Sequence, residues 1–407
     1  MFNKSQYVLR IGFFLLCLFI QTCFADNNIQ NDQNSANDSY ELEFEQAMLY
    51  VQQGNYNEAN KLFYHLNEVT HSPRVKIEWA NLLYIAGDKD KSKKLFREVL
   101  DLNPPMLVRE RIKQYLDDIA LTEGKIDFSF GFVRDTNPRF VSRETAISIW
   151  GQTFEYNSGV TNKPQYGKNY LINYSKGLDD QNRWIASFLA NGTKFSDVNF
   201  DRTGVEESLT FVASRVPKVD VKVAYEQYFF SGKLLFTQPS ASLKFFYVFN
   251  NSSNISTEIR ASKSFYDNYD YLNGPMHSIQ GSYNYPVYEN IFLGLELGSD
   301  RMKANDSVYA FRNNNWGVIS SFFIPAIFTK GQIRYSEANR YYDSQDQLFE
   351  LARDDYRRGL YFSMAYTNLN LFGLEAALDL SKEKNISNIN IYSYERELIG
   401  LNLRKTF

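Results

Sequence analysis

Residues 396–407 read RELIGLNLRKTF. Counting back in twos from the end gives Phe407, Lys405, Leu403, Leu401 and Ile399; the other parity gives Thr406, Arg404, Asn402, Gly400 and Leu398. One row is mostly apolar and finishes on an aromatic residue, and the other is mostly small or polar. A period of two is the side-chain repeat of a strand whose faces meet different surroundings. In an outer-membrane barrel those surroundings are lipid and a wet lumen. Ile399, Leu401, Leu403 and a final Phe407 on the lipid face also have the form of the signal read by the machinery that folds such barrels. A strand of a soluble sheet would alternate in the same way, so the rest of the chain has to decide.

The start of the chain favours the barrel. Lys4 and Arg10 precede the apolar run IGFFLLCLFI, residues 11–20, and Cys23-Phe24-Ala25 offers small residues where a signal peptidase reads. This is the pattern of a secretory signal peptide over residues 1–25, cleaved after Ala25. Gln21-Thr22 before Cys23 is a poor lipobox, so the chain is not expected to be a lipoprotein. Cys17 and Cys23 both lie in that segment, which leaves a mature chain without disulfides or thiol chemistry. Residues 26–39, DNNIQNDQNSANDS, are almost free of apolar side chains and read as a disordered leader.

With 47 acidic and 44 basic residues the net charge is -3, which gives no reason to expect nucleic acid as a partner. Aromatic content is high, at 29 Tyr and 33 Phe, while the mean hydropathy of -0.42 is too polar for a helical membrane protein. A barrel reconciles the two, because half of each strand faces water.

Between residues 40 and 121 the period is helical. AMLYVQQGNYNEANKLFYHL from Ala47 aligns with ANLLYIAGDKDKSKKLFREV from Ala80 at a spacing of 33 residues. Gly54 matches Gly87, Ala59 matches Ser92, and Leu62-Phe63 matches Leu95-Phe96. A small residue early in the first helix, Gly at the turn and a small residue with an aromatic in the second resemble the tetratricopeptide repeat. In such repeats the first helices line a concave groove that holds peptide or protein segments. The pattern places Phe44, Met48, Val51, Asn81, Tyr84 and Ile85 toward that groove, with core packing as the competing reading for each.

From residue 126 to the end the period is two. Val219, Val221, Val223 and Tyr225 alternate with Asp220, Lys222, Ala224 and Glu226; Leu374, Ala376, Leu378 and Leu380 alternate with residues that include Glu375 and Asp379. Runs of nine to eleven residues match a bilayer crossed at a tilt. Short turns near 177–182, 215–218, 250–253, 288–289, 325–329 and 368–371 alternate with longer polar loops near 194–203, 231–239, 266–274, 301–312, 339–353 and 383–395. Short periplasmic turns and long external loops are the outer-membrane arrangement. Counting back from a periplasmic end gives about fourteen strands, with residues 126–133 and 145–156 competing for the first. The expected architecture is therefore an α+β chain of two domains: short periplasmic helical repeats over 40–121, then an antiparallel outer-membrane β-barrel over 126–407.

Motifs for catalysis are missing from the sequence. The histidines are His65, His71 and His277, without a metal-ligand spacing, a CxxC pair or a phosphate-cradling glycine loop. His277-Ser278 is a His–Ser neighbour in the barrel half, but adjacent strand residues point to opposite faces. The chain is expected to be neither an enzyme nor a cofactor or metal binder.

Two further stretches carry a family resemblance. FSFGFVRDTN, residues 128–137, looks like a strand ending in an Asp-Ser/Thr-Asn motif. The segment from Ala352 to the end carries a basic cluster, then Ser387-Asn388-Ile389, Tyr392-Ser393-Tyr394 and Arg396. With the signal peptide and repeats, these resemble the surface lipoprotein assembly modulator (Slam) family, also called type XI secretion. The resemblance covers about residues 41–407, and the chain departs from it in being short, with two clear repeats. It implies a translocator that helps surface lipoproteins or secreted proteins cross the outer membrane. Its partners would be that protein substrate, a periplasmic chaperone and the barrel-assembly machinery, and it would act as a monomer. From the residues alone, a passive pore with a periplasmic protein-binding module competes with this reading, and an outer-membrane hydrolase is the third.

Overall fold

The computed structural model describes residues 36–407 apart from 143, 151, 156–162, 370–373 and 407. The signal peptide, most of the leader and Phe407 lie outside the described residues. The chain divides into two compact units, with the boundary in sequence between Ala86 and Gly87.

The first unit holds helices α1 (Ala36–Gln52), α2 (Tyr56–Thr70) and α3 (Pro73–Ala86). Helix α1 begins inside the stretch read as a leader. Gly54 has φ 75°, a left-handed conformation that suits glycine in the turn between α1 and α2. Ala47 and Ala59 are fully buried and let the helices approach closely, and Phe44 meets Phe63 edge to face at 5.8 Å.

The second unit opens with α4 (Lys89–Asp101) and α5 (Met106–Glu123). The Asp88 side chain caps α4 by accepting from the Lys91 N–H, and Phe96 stacks on Tyr115 at 5.1 Å. Gly124, at φ 104°, turns the chain directly into β1 (Lys125–Asp135). There follow β2 (Ala146–Ile149), β3 (Gln152–Glu155), β4 (Gln165–Gly177), β5 (Trp184–Phe195), β6 (Arg202–Arg215), β7 (Lys218–Phe230), β8 (Lys233–Val248) and β9 (Asn254–Tyr266). The last seven are β10 (Gly274–Tyr288), β11 (Ile291–Met302), β12 (Phe311–Ile324), β13 (Thr329–Asp346), β14 (Leu351–Leu369), β15 (Leu374–Ser387) and β16 (Tyr394–Thr406). Strands β1 and β4–β16 close into an antiparallel barrel of fourteen, with β1 between β16 and β4.

The competition for the first spanning strand resolves to β1. Strands β2 and β3 have four residues each and pair with one another, outside the ring. Four residues reach only about 13 Å, well short of a bilayer.

Register sorts every barrel residue to one of two faces. Phe130 pairs with Leu403 and Tyr170, and Phe132 with Leu401. The row containing Leu401 and the row containing Phe132 and Val221 carry large exposed apolar side chains all around the wall, among them Ile172, Val223, Leu243, Ile259, Leu295, Val318, Leu360 and Ile399. So continuous an apolar belt suits lipid and not water. The alternate residues turn inward and pair their charges: Lys222 with Glu206 at 2.6 Å, Arg334 with Glu296 at 2.6 Å, Arg404 with Asp379 at 2.6 Å.

Three of the expected external loops are largely strand. The segment 231–239 contracts to a Ser231-Gly232 turn, with β8 starting at Lys233. Strands β13 and β14 run for 18 and 19 residues and leave only 347–350 between them, where 339–353 was expected as loop. Strand β15 continues to Ser387. Above the bilayer both faces of a hairpin are wet, so the alternation that marks a strand in lipid disappears while backbone pairing continues.

Glycine 131 sits in the β1–β16 seam, where a Cβ would stand 2.1 Å from the Leu401 carbonyl oxygen and 2.2 Å from Asn402 Oδ1. Gly131→Val should therefore lower the fraction of heat-modifiable folded barrel several-fold on gel electrophoresis. Gly281→Ala, whose Cβ meets nothing closer than 3.9 Å, should leave that fraction unchanged. For orientation, the chain after residue 23 has no cysteine. A cysteine at Gln347 should react with a bulky impermeant maleimide on intact cells, and one at Asp180 only after the outer membrane is opened.

Candidate functional site

At the external end of the seam the two sequence motifs meet. Asp135 is fully buried, and Arg396 donates to both its oxygens, Nε at 3.0 and 3.1 Å and Nη2 to Oδ2 at 2.6 Å. Arg202 on β6 reaches the same Oδ2 at 3.2 Å, and the Asn137 N–H donates to Oδ1 at 3.0 Å. The Thr136 Oγ1 accepts from the Glu397 N–H, and Asn137 Nδ2 donates to the carbonyls of Val141 and Glu395. Arg396 also lies over the Phe140 ring at 4.6 Å. Every polar side-chain atom of the Asp-Thr-Asn motif thus ties β1 to β16 or braces the start of the following loop.

Below the clip the lumen is lined by a polar network. Asp379 accepts four side-chain hydrogen bonds: from Tyr361 (2.9 Å) and Ser363 (2.6 Å) on Oδ1, and from Asn402 and Arg404 (both 2.6 Å) on Oδ2. Asn169 Nδ2 donates to Asn402 Oδ1 across the gap that Gly131 leaves open. Lys330 donates to Glu375 at 2.6 Å. A cavity of ≈ 1100 Å³ lies among these residues and α4 and α5. Farther round, toward the outside, Arg353 sits over Tyr392 at 3.7 Å and Tyr342 at 4.7 Å, and Arg340 over Phe311 at 4.3 Å.

Helix α5 crosses the periplasmic mouth. At its N-terminal end the Met106 N–H donates to Asn290 Oδ1 at 2.9 Å, Asn103 Nδ2 donates to the Pro325 carbonyl, and Arg109 lies over Phe323 at 4.3 Å. Those partners belong to the β10–β11 and β12–β13 turns and the strand beside them. At the other end Asn182 Nδ2 donates to the Asp118 carbonyl at 2.7 Å, Arg215 pairs with Asp118 at 3.4 Å, and Lys125 pairs with Asp117 at 2.9 Å. Asn182 and Arg215 lie at the β4–β5 and β6–β7 turns, on a far arc of the ring. Eighteen helical residues span about 27 Å, so one rigid rod bridges the rim and its side chains Lys113, Leu116 and Ala120 form part of the cavity wall. Its ends are held by these polar contacts and, at Arg109, by the buried ring of Phe323.

The helical residues expected to line a groove divide in the first unit. Phe44 corrects that expectation: it is 7% exposed and belongs to the core, covered by Phe63 and by Arg74 at 4.4 Å from its ring. Met48 and Val51 pack against the same core. The helical turn puts these three on the stripe that α1 buries against α2. Asn81 and Tyr84 are half-buried, and Ile85 is exposed. In the last strand Ile399, Leu401 and Leu403 lie on the apolar outer face. His277 faces outward opposite Arg301 while Ser278 faces inward opposite Asp300. Sequence reasoning did not single out Arg202, Asn182 or the crossbar role of α5; a glycine inside the alternating run at 131 was the available signal for the tight seam.

The profile of a family described as surface lipoprotein assembly modifier matches residues 125–407, the whole barrel. No curated protein matches the chain. Among solved structures, OpdK of Pseudomonas aeruginosa with vanillate is 8% identical over 70% of this chain and 100% of its own, with a TM-score of 0.36. A loop-deleted OmpT of Vibrio cholerae is 8% identical over 70% and 99%, with a TM-score of 0.37. A bacterial polysaccharide outer membrane secretin is 8% identical over 70% and 98%, with a TM-score of 0.40.

The crossbar contacts can be loosened without touching the wall. Residue 182 has φ 49°, so Asn182→Gly removes the side chain while keeping the backbone at ease. Combined with Arg215→Ala, it should remove the hold of the β4–β5 and β6–β7 turns on α5, which stays joined to β1 through Gly124. The double variant should show larger or more frequent ion-conducting openings in planar bilayers, at unchanged heat-modifiability.

Proposed function

The chain belongs to the surface lipoprotein assembly modifier family, and from that premise we propose that it helps surface lipoproteins or secreted proteins cross the outer membrane to the cell surface. A role in surface lipoprotein assembly from the outer membrane follows from the family and the barrel. The translocation step is the finer reading, and the observation that supports it best is α5. A passive solute pore works through a lumen that stays open at both ends, whereas here a helix bridges the periplasmic mouth and forms part of the wall of the lumen cavity. Such a mouth suits a conduit that opens when a cargo arrives.

On this reading the chain is not an enzyme. The first-unit helices catch the cargo or a chaperone that carries it, with Asn81, Tyr84 and Ile85 as the accessible part of that surface. The barrel-assembly machinery inserts the chain, which then acts as a monomer. No nucleic acid, metal or cofactor takes part.

Because α4 and α5 are built into the barrel unit, the catching role can be removed separately. Deletion of residues 40–86 should leave a folded, heat-modifiable barrel and reduce surface display of a cognate lipoprotein at least tenfold, read by antibody labelling of intact cells. Display at the wild-type level in that variant would assign cargo capture to the barrel unit; display unchanged when the whole protein is absent would refute translocation.

A further inference from the structure

The apolar belt has one interruption on β6. Its outward row reads Thr203, Val205, Glu207, Leu209, Phe211, and the side chain of Glu207 is exposed. Register sets it opposite Phe188 on β5 and Tyr225 on β7, both on the same outer face. With apolar residues before and after it along the strand, this carboxyl group lies inside the lipid belt, away from either rim. Among the described residues no hydrogen bond or ion pair reaches it. Other outward carboxylates are served: Glu337 accepts from Tyr335 at 2.5 Å, Glu395 pairs with Lys384 at 2.6 Å and Glu397 with Lys382 at 2.8 Å.

Around Glu207 the wall is hollow. A groove of ≈ 620 Å³ is lined by Tyr174, Ala186, Phe188, Leu209, Val223 and Tyr225. The small Ala186 between aromatic neighbours makes the recess. Gln227, diagonal to Glu207 on the same outer face, extends the polar spot toward the external side. A lipid-facing carboxyl destabilises a barrel, and an ionisable group in the membrane marks a functional site by default.

Lipid tails fill an apolar groove but offer nothing to a carboxyl group. The occupant that satisfies both parts joins acyl chains to hydrogen-bond donors at one point. We propose that this groove is a docking site for the acylated N-terminal cysteine of a lipoprotein, its acyl chains lying along Phe188, Leu209 and Val223 and its amide N–H groups donating to Glu207. This inference rests on the reading under Proposed function and adds a route: the anchor travels on the outer wall. An amide linkage crossing hydrocarbon alone leaves its polar groups unpartnered, and an acceptor partway across lowers that barrier.

The test uses the full chain in lipid nanodiscs and a fluorescent tripalmitoyl-cysteinyl pentapeptide without charged side chains. Binding should weaken about tenfold in Glu207→Leu, the loss of a hydrogen bond to a charged group. Glu207→Gln, which keeps an acceptor oxygen, should restore part of it. Tripalmitoylglycerol should compete poorly. In cells Glu207→Leu should lower lipoprotein display several-fold while the barrel stays at least as heat-resistant as wild type, since leucine suits the lipid face. Equal peptide binding by wild type and Glu207→Leu, equal competition by the peptide-free lipid, or cross-linking at this face to a second copy of the chain in place of the peptide would overturn the proposal. If cells lacking the protein display the lipoprotein normally, translocation fails as the function, and the binding measurement still decides the site.

Discussion

Everything in the barrel depends on joining β1 to β16, and a buried ion pair governs that joint. These strands are the most distant in sequence, so their pairing carries the largest loop-closure cost in the ring. Asp135 is fully buried between Arg396 and Arg202, and its carboxylate would be strongly destabilising without them. The contact is satisfied only in one register, with Asp135 opposite Leu398 and Thr136 bonded to Glu397. A slip of one residue would turn Phe130 and Phe132 into the lumen and Asp127 into lipid, so the clip and the two-sided wall enforce the same alignment. Gly131 completes the joint by letting Asn402 and Asn169 meet where a side chain would stand.

The period of two was legible because lipid and lumen impose opposite demands on neighbouring residues; it yielded the barrel and the parity of fourteen. It failed where that contrast stops. Beyond the membrane β13 and β14 remain paired through residues such as Arg340 and Asp355, which alternation reads as loop. It also ranked 126–133 beside 145–156, because sequence reports alternation and not the partner: β1 finds two neighbours in the ring, and β2 finds only β3. The motifs at Asp135 and Arg396 were visible as separate stretches, while their contact, 261 residues apart, required the closed ring. Phe44 was misplaced because a residue on the buried stripe of a helix and one on a groove share the same helical spacing; only the neighbour Phe63 tells them apart. Glu207 was hidden beside Glu206: in an acidic pair, only register reveals which member pairs with Lys222 inside and which meets lipid.

The crossbar follows from chain geometry. Gly124 turns α5 into β1 with one residue between, so the helix cannot swing far from the rim. Its anchors at Asn290, Pro325, Asn182 and Arg215 are polar, whereas the contacts between α4 and α5 bury Phe96, Val99, Ile112 and Ile119. The hairpin therefore has an apolar seam of its own and meets the turns of the ring largely through polar groups.

A lipoprotein presents a barrel with two incompatible loads: a polar polypeptide and acyl chains. The lumen, with Asp379 holding four donors and charges paired along its wall, is solvent-like and cannot take acyl chains without stranding those groups. The outer wall is lipid-like and cannot take an extended polypeptide, whose backbone groups would go unpaired. A division of the load is the solution that satisfies both media, with the polypeptide on the wet side and the anchor on the outer face. The two loads stay covalently joined, so the crossing point must serve both at once. In the proposed scheme the two media come within one residue of each other on β6, where the polar notch at Glu207 faces lipid while Glu206 faces the lumen and binds Lys222 at 2.6 Å.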